Sequence, residues 1–263
     1  MSALRRLVDR VPGVGGWDED PLWGSVYDWS VEHPAAGGLL WRLGIGSDLD
    51  LLYAAAGETG RLPAGSVVLD VPSGGGVALR GLRPGQGVRY VAVDISQRML
   101  DRTTASARRL GVADQLETLV ADVVDLPLAD GSVDHVVSLT GLHCFPDPRG
   151  AVRELGRVLR PGGVLTGSAL LNDSGLRFEG VRRAGRVAGV LGPGVTRTDV
   201  RRWLAADGFE QVTVRLSGAI GYFRGVRTGG ARGPAPPSCR CRDPRRGCRR
   251  PGRRPRAGPP RSA

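Results

Sequence analysis

The run Val67-Val68-Leu69-Asp70-Val71-Pro72-Ser73-Gly74-Gly75-Gly76 constrains this chain more than any other stretch. A continuous apolar segment is how a parallel strand buried on both faces reads, and this one ends in an acid. The glycines after it allow a sharp turn and a close backbone approach to a ligand, because no Cβ stands in the way. Together they predict a nucleotide pocket at the carboxyl end of a first strand. The dinucleotide fingerprint G-x-G-x-x-G would use Gly74 and Gly76 but needs a third glycine where the chain has Leu79, so a pyrophosphate site is disfavoured. Taken alone, the run also reads as an ordinary loop between strand and helix.

The chain then repeats the pattern. Val88–Asp94 is a second apolar strand ending in an acid, 24 residues after Asp70, and a helical run from Ser96 to Leu110 follows. In a doubly wound sheet, a carboxylate at the tip of the second strand lies beside the ribose of a nucleoside placed across the first. There it can accept both hydroxyl protons. Asp94 is the candidate ribose ligand, and since it precedes a helix it can also act as a cap. Leu116–Ala121 reads as a third strand, closed by Asp122 and followed by Val123. Three strand-terminal acids in succession predict a single crevice.

Further along, Val133–Leu139 is a buried strand, and Pro148 suits the first turn of a helix whose apolar face is Ala151, Val152, Leu155, Val158 and Leu159. Pro161-Gly162-Gly163 is expected to stop that helix and turn into a strand over Val164–Leu170. A glycine- and arginine-rich connection over 172–196 includes a helical stretch at Phe178–Leu191. Thr198–Phe209 reads as a capped helix stopped by Gly208, and Gln211–Leu216 with Ala219–Arg224 as a closing hairpin.

The strand, acid, Gly74-x-Gly76 motif, the later acids and the stretch 129–165 resemble the class I S-adenosylmethionine-dependent methyltransferases, in their small-molecule (type 11) branch. The likeness is close over 66–170 and looser to about 227; Pro72 stands where the family's motif usually has its first glycine. The resemblance implies an α/β fold, a doubly wound, seven-stranded, mostly parallel sheet with a C-terminal antiparallel hairpin. It implies S-adenosylmethionine as cofactor and methyl transfer to oxygen, nitrogen or carbon of a small organic acceptor. On it, Asp70, Val71, Gly74 and Gly76 hold the methionine portion, Asp94 and Ile95 the ribose and the adenine face, and Asp122 and Val123 the adenine edge. Leu139 and His143 border the reacting centre. His143 is the ring in that region whose ordinary pKa suits a general base, and it also reads as a loop histidine that packs or hydrogen-bonds. Methyl transfer needs no strong base, because alignment can supply most of the rate.

His135, inside the fourth strand, reads as structural, and His33 falls in an N-terminal segment with Trp17, Trp23, Tyr27, Trp29 and Trp41. That aromatic segment is either a lid over the acceptor or a helix pair packed on the sheet. The organisation expected is a helical lid or substrate segment over 1–60, a cofactor-binding core over 61–227 and a disordered tail over 228–263.

Charge divides the chain the same way. Its net +11 resides in the end: residues 224–263 hold thirteen arginines and one acid, leaving 1–223 nearly neutral. With seven glycines, eight prolines and Val226 as its one bulky aliphatic, that tail lacks the apolar area to offset the entropy of ordering. Cys239, Cys241 and Cys248 lack a fourth thiolate or nearby histidine, so no metal site is expected. No disulfide scaffold, leader or apolar span is visible, which predicts a cytoplasmic protein with no membrane span. Nucleic acid is not required as a partner, and the sequence carries no signal for oligomeric state. Rival readings are an RNA-modifying or RNA-binding protein of this fold anchored by the arginine tail, a nucleotide-dependent oxidoreductase, and a non-catalytic member of the fold.

Overall fold

The computed structural model describes residues 29–31 and 33–229. Seven strands, β1 (Val67–Asp70), β2 (Arg89–Asp94), β3 (Leu116–Val120), β4 (Val133–Ser138), β5 (Leu159–Leu170), β6 (Phe209–Ser217) and β7 (Ile220–Arg227), form one sheet in the order β3-β2-β1-β4-β5-β7-β6. β1 to β5 run parallel, and β7 pairs antiparallel with both β5 and β6. This is the expected doubly wound, mostly parallel sheet with an antiparallel hairpin at its end. The strand order reverses between β1 and β4, and in an open α/β sheet ligands bind in the crevice at the carboxyl ends beside such a reversal.

Side-chain alternation along the strands builds two cores. Leu69, Val91, Val93 and Val136 point to one face, where α4 (Pro148–Val158) and α6 (Arg197–Ala206) cover them with Ala151, Val152, Leu155, Val200 and Leu204. Val68, Tyr90, Ala92 and Val137 point to the other, under α1 (Pro34–Gly44), α2 (Leu49–Ala56) and α3 (Gln97–Leu110). A period of two in the strands meets a period near 3.6 in the helices, which is why both faces close. Each fully buried leucine, Leu69 or Leu155 for example, contributes about 2 kcal/mol.

The termini of the helices follow their sequence signals. Asp147 caps α4 by accepting from the Gly150 N–H, with Pro148 at the first position. Thr196 and Asp199 form a reciprocal capping box on α6, and Gly208, with φ of +73°, ends the turn after it. One junction differs from expectation. α4 hands over at Leu159 directly to β5, and Pro161-Gly162-Gly163 is an irregularity within that strand rather than a linker before it. Pairing of Leu159 with Val133 resumes only at Val164 with His135, so the glycine-rich piece bulges out of the ladder. The helix expected over Phe178–Leu191 is shorter, α5 spanning Glu179–Val187.

Of the N-terminal aromatics, Trp17, Trp23 and Tyr27 lie outside the described residues, as do the tail beyond 229 and its three cysteines. Trp41 is buried in the second core and donates to Ser30 Oγ at 3.1 Å, and α1 and α2 pack on the sheet. His33 is exposed and stacks on Trp29, whereas His135 is buried with no partner on its Nε2 atom. No helix of the described residues is long and apolar enough to cross a membrane.

Candidate functional site

A cleft of about 300 Å³ opens at the carboxyl ends of β1, β2 and β3. Val71, Pro72 and Gly74 come to it from the turn after β1, Asp94 and Ile95 from the end of β2, and Met99 from α3. Ala121, Asp122 and Val123 follow β3, Cys144, Phe145 and Pro146 come from the loop after β4, and Gly189 from the connection after α5. Its wall is mostly apolar, with two carboxylates set into it, the composition of a small-molecule pocket.

The glycine turn is built around backbone conformations that L side chains rarely adopt: φ is +50° at Gly74 and +83° at Gly76. At Gly76 a Cβ would also meet Leu79 Cδ1 at 2.9 Å, whereas at Gly74 the space is open, leaving a bare backbone edge toward the cleft. Thr103 Oγ1, from α3, donates to the Gly74 carbonyl at 2.7 Å and ties the turn to the helix.

Asp94 organises this rim. Its Oδ2 accepts from the Gly74 N–H and its Oδ1 from the Ser96 N–H, both at 3.0 Å, so one carboxylate joins the glycine turn to the start of α3. The capping role and the ligand role are compatible, because a carboxylate oxygen can accept two hydrogen bonds. Ile95 beside it is 61% exposed, an apolar surface unusual for its size and ready to be covered. Asp122 is exposed and folds into its own turn, accepting at Oδ1 from the Val124 N–H at 3.1 Å, while Val123 is buried.

Four expected site residues do not line the cleft. Asp70 is buried beneath it, its Oδ2 accepting from the Tyr90 hydroxyl at 2.9 Å. Burial pushes its carboxyl up to about 7 against the stabilising Tyr90 bond, and the nearby Asp94 charge adds to the rise. Two of the three strand-terminal aspartates thus line the cleft, and the third lies beneath its floor. Gly76 shapes the turn from behind, and Leu139 is buried in the core on the α1–α3 side. His143 is half-buried, and its Nδ1 accepts from the Leu170 N–H at 3.1 Å. That bond occupies the lone pair of the neutral ring and leaves an N–H at Nε2, and burial lowers the ring to about 4. As it stands, the ring is a poor proton acceptor at neutral pH.

Sequence reasoning missed Met99, Pro146 and Gly189. Met99 belongs to the buried stripe of α3 with Leu100 and Thr103, and only the position of that helix brings its side chain to the cleft. Cys144 donates its thiol to the Thr140 carbonyl at 3.4 Å, and burial pushes the thiol up to about 12, which makes it an unreactive lining group. No cluster of metal-ligating side chains occurs among the described residues.

The donor set fits an adenosyl group: a carboxylate for a vicinal diol, an acid and a backbone edge beside a slot of Ile95, Met99 and Phe145, and an open glycine turn. Residues 69–166 match the methyltransferase domain family. The 27-O-demethylrifamycin SV methyltransferase of Amycolatopsis mediterranei is 35% identical over 134 residues, 48% of this chain and 49% of that protein. The demethylmenaquinone methyltransferase of Clavibacter sepedonicus is 40% identical over 100 residues, 38% of this chain and 39% of its own length. The chain thus spans half or less of the curated relatives it matches. A Haemonchus contortus phosphoethanolamine N-methyltransferase, solved with S-adenosylhomocysteine, superposes with a TM-score of 0.62 at 16% identity, over 87% of this chain and 61% of that one, a likeness of fold. The likeness to a methyltransferase domain thus spans the glycine turn, Asp94 and Asp122.

Proposed function

We propose that this protein transfers a methyl group from S-adenosylmethionine to a small organic acceptor. The observation that carries the reading is Asp94, held by two backbone N–H groups at the mouth of an apolar cleft beside the strand-order reversal. Asp94 would hold the ribose hydroxyls, Ile95 and Met99 the adenine faces, Asp122 and Val123 the adenine edge, and Gly74 with Val71 the methionine end. When bound, the cofactor supplies an activated methyl on a sulfonium.

The chain's own contribution is to bind, orient and exclude water. Phe145 and Pro146 close one apolar wall, which keeps water from the reacting centre. The loop that carries them is fixed by two ties: His143 Nδ1 accepts from the Leu170 N–H, and the Gly192 N–H donates to the His143 carbonyl at 2.8 Å. His143 thereby serves as a positioning residue in this reading, and rate comes from alignment rather than from proton removal. The curated relatives named above act, by their names, on a rifamycin and on a menaquinone precursor, which supports a small and largely apolar acceptor here. We read the protein as cytoplasmic.

Incubating the full chain with methyl-labelled S-adenosylmethionine and a panel of phenols, quinols, amines and RNA tests the reading. Label is expected in an organic small molecule; label confined to RNA, or no transfer with cofactor bound, would overturn it.

A further inference from the structure

Nine large apolar side chains stand exposed among the described residues, and seven of them fall in two short segments. Trp29, Leu39, Leu40 and Leu43 lie on and just before α1, with Leu43 78% exposed. Leu176, at 90%, Val181 and Val187 lie on and just before α5. The segments adjoin: a Cβ on Gly46, two residues past α1, would come within 3.1 Å of both the Arg177 guanidinium and the Phe178 ring.

α5 is built inside out. Its buried side chain is Arg182, which donates to the Leu171 and Gly175 carbonyls, to Ser174 Oγ and to Glu179, while its valines face solvent. A surface helix ordinarily turns its apolar stripe inward, so outward valines mark a face that something apolar covers. The charge around that face is net positive. Arg42 on α1 is paired with Asp48 at 3.6 Å, and of the four arginines in 176–187 Arg182 is buried and shares Glu179 with Arg186, which leaves Arg177 and Arg183 as the exposed excess. A second copy of the chain docked through a twofold axis would bring two faces of the same net positive charge together. A surface of lipid phosphates would match both features, since apolar side chains reach the acyl boundary and arginines meet the headgroups.

We propose that this apolar, arginine-flanked face docks peripherally on a membrane surface bearing anionic headgroups. The docking stands independently of methyl transfer. If the function proposed above holds as well, docking brings Gly189, two residues past α5 and on the rim of the cleft, toward the bilayer in which an apolar acceptor dissolves.

Flotation of the full chain with vesicles of phosphatidylcholine, alone or mixed with phosphatidylglycerol, tests this against two double variants, Leu43→Glu with Leu176→Glu, and Arg177→Glu with Arg183→Glu. The wild type is expected to float with the anionic vesicles, and each variant to partition about tenfold more weakly with an unchanged thermal midpoint. Variants that float as the wild type does would assign any binding to the arginine-rich 224–263 and overturn the proposal. So would a wild type that ignores both vesicles, or a dimer in sedimentation that the leucine variant dissociates.

Discussion

The rim built by β1, β2 and β3 and the connection over 171–196 meet at one end of the sheet, yet they are held by opposite means. In the rim the fixing groups are backbone N–H donors and a small number of short acids: Asp94 to Gly74 and Ser96, Asp122 to Val124. In the connection a long buried cation gathers the chain around itself, Arg182 taking two carbonyls, a hydroxyl and a carboxylate. The first arrangement keeps each ligand-facing atom at a position fixed by strand register. The second fixes one side of a loop and leaves its apolar residues outward. A site for an invariant chemical group suits the first, and a surface adapted to a particular acceptor or partner suits the second.

If the two regions are separable, substitutions in one should leave the other's readout alone. The largest effect is expected at Asp94→Ala, which should weaken S-adenosylhomocysteine binding about 100-fold by calorimetry, since it removes a charge-assisted acceptor and unties Gly74. An affinity within a factor of about three of wild type would remove the ribose role. Next, Arg182→Met should cost about 3 kcal/mol in urea unfolding, because it removes the charge-assisted hydrogen bonds that gather Leu171, Ser174, Gly175 and Glu179, while cofactor affinity changes little. A loss of affinity matching that of the Asp94 variant would break the comparison.

Acid pH probes the sheet beneath both regions. His135 is buried and lowered from 6.5 to about 4, chiefly by desolvation, so the unfolded chain binds its proton first. Stability from this group is present above 6.5 and is lost as pH falls toward 4, by at most about 3 kcal/mol. Asp70 has the opposite sign: raised from 3.8 to about 7, it favours the folded state when protonated, a contribution present below 3.8 and lost as pH rises through 7. Between about 4 and 6.5 the two oppose one another. Asp70→Asn should therefore deepen the loss of stability on acidification, measured as urea midpoint against pH; an unchanged profile would remove Asp70 from the balance. The smallest effect is expected at Cys144→Ala, where a neutral thiol and one weak hydrogen bond are lost and cofactor affinity should stay within about twofold.

The rim was largely legible in the chain because its signals are local. An apolar run ending in an acid fixes both the strand and where its carboxylate emerges, and Asp94 needs only its own neighbours to be found. Asp70 shows the limit. It carries the same signal as Asp94, but Val68 pairs with Tyr90, and the common face this gives Asp70 and Tyr90 sends the carboxylate under the sheet's own side chains. Only the register between β1 and β2 decides that. Met99 and Gly189 reach the cleft through helix and loop placement, and the inward turn of Arg182 defies the helical pattern, so no spacing along the chain announces any of them.

The account stands or falls on what occupies the cleft at the ends of β1, β2 and β3. Titrating the full wild-type chain with S-adenosylhomocysteine in a calorimeter, beside a parallel titration with NAD, is the most direct measurement. One molecule of adenosylhomocysteine bound per chain and no heat from NAD are expected. Saturable uptake of NAD, or none of adenosylhomocysteine by a folded chain, would contradict it.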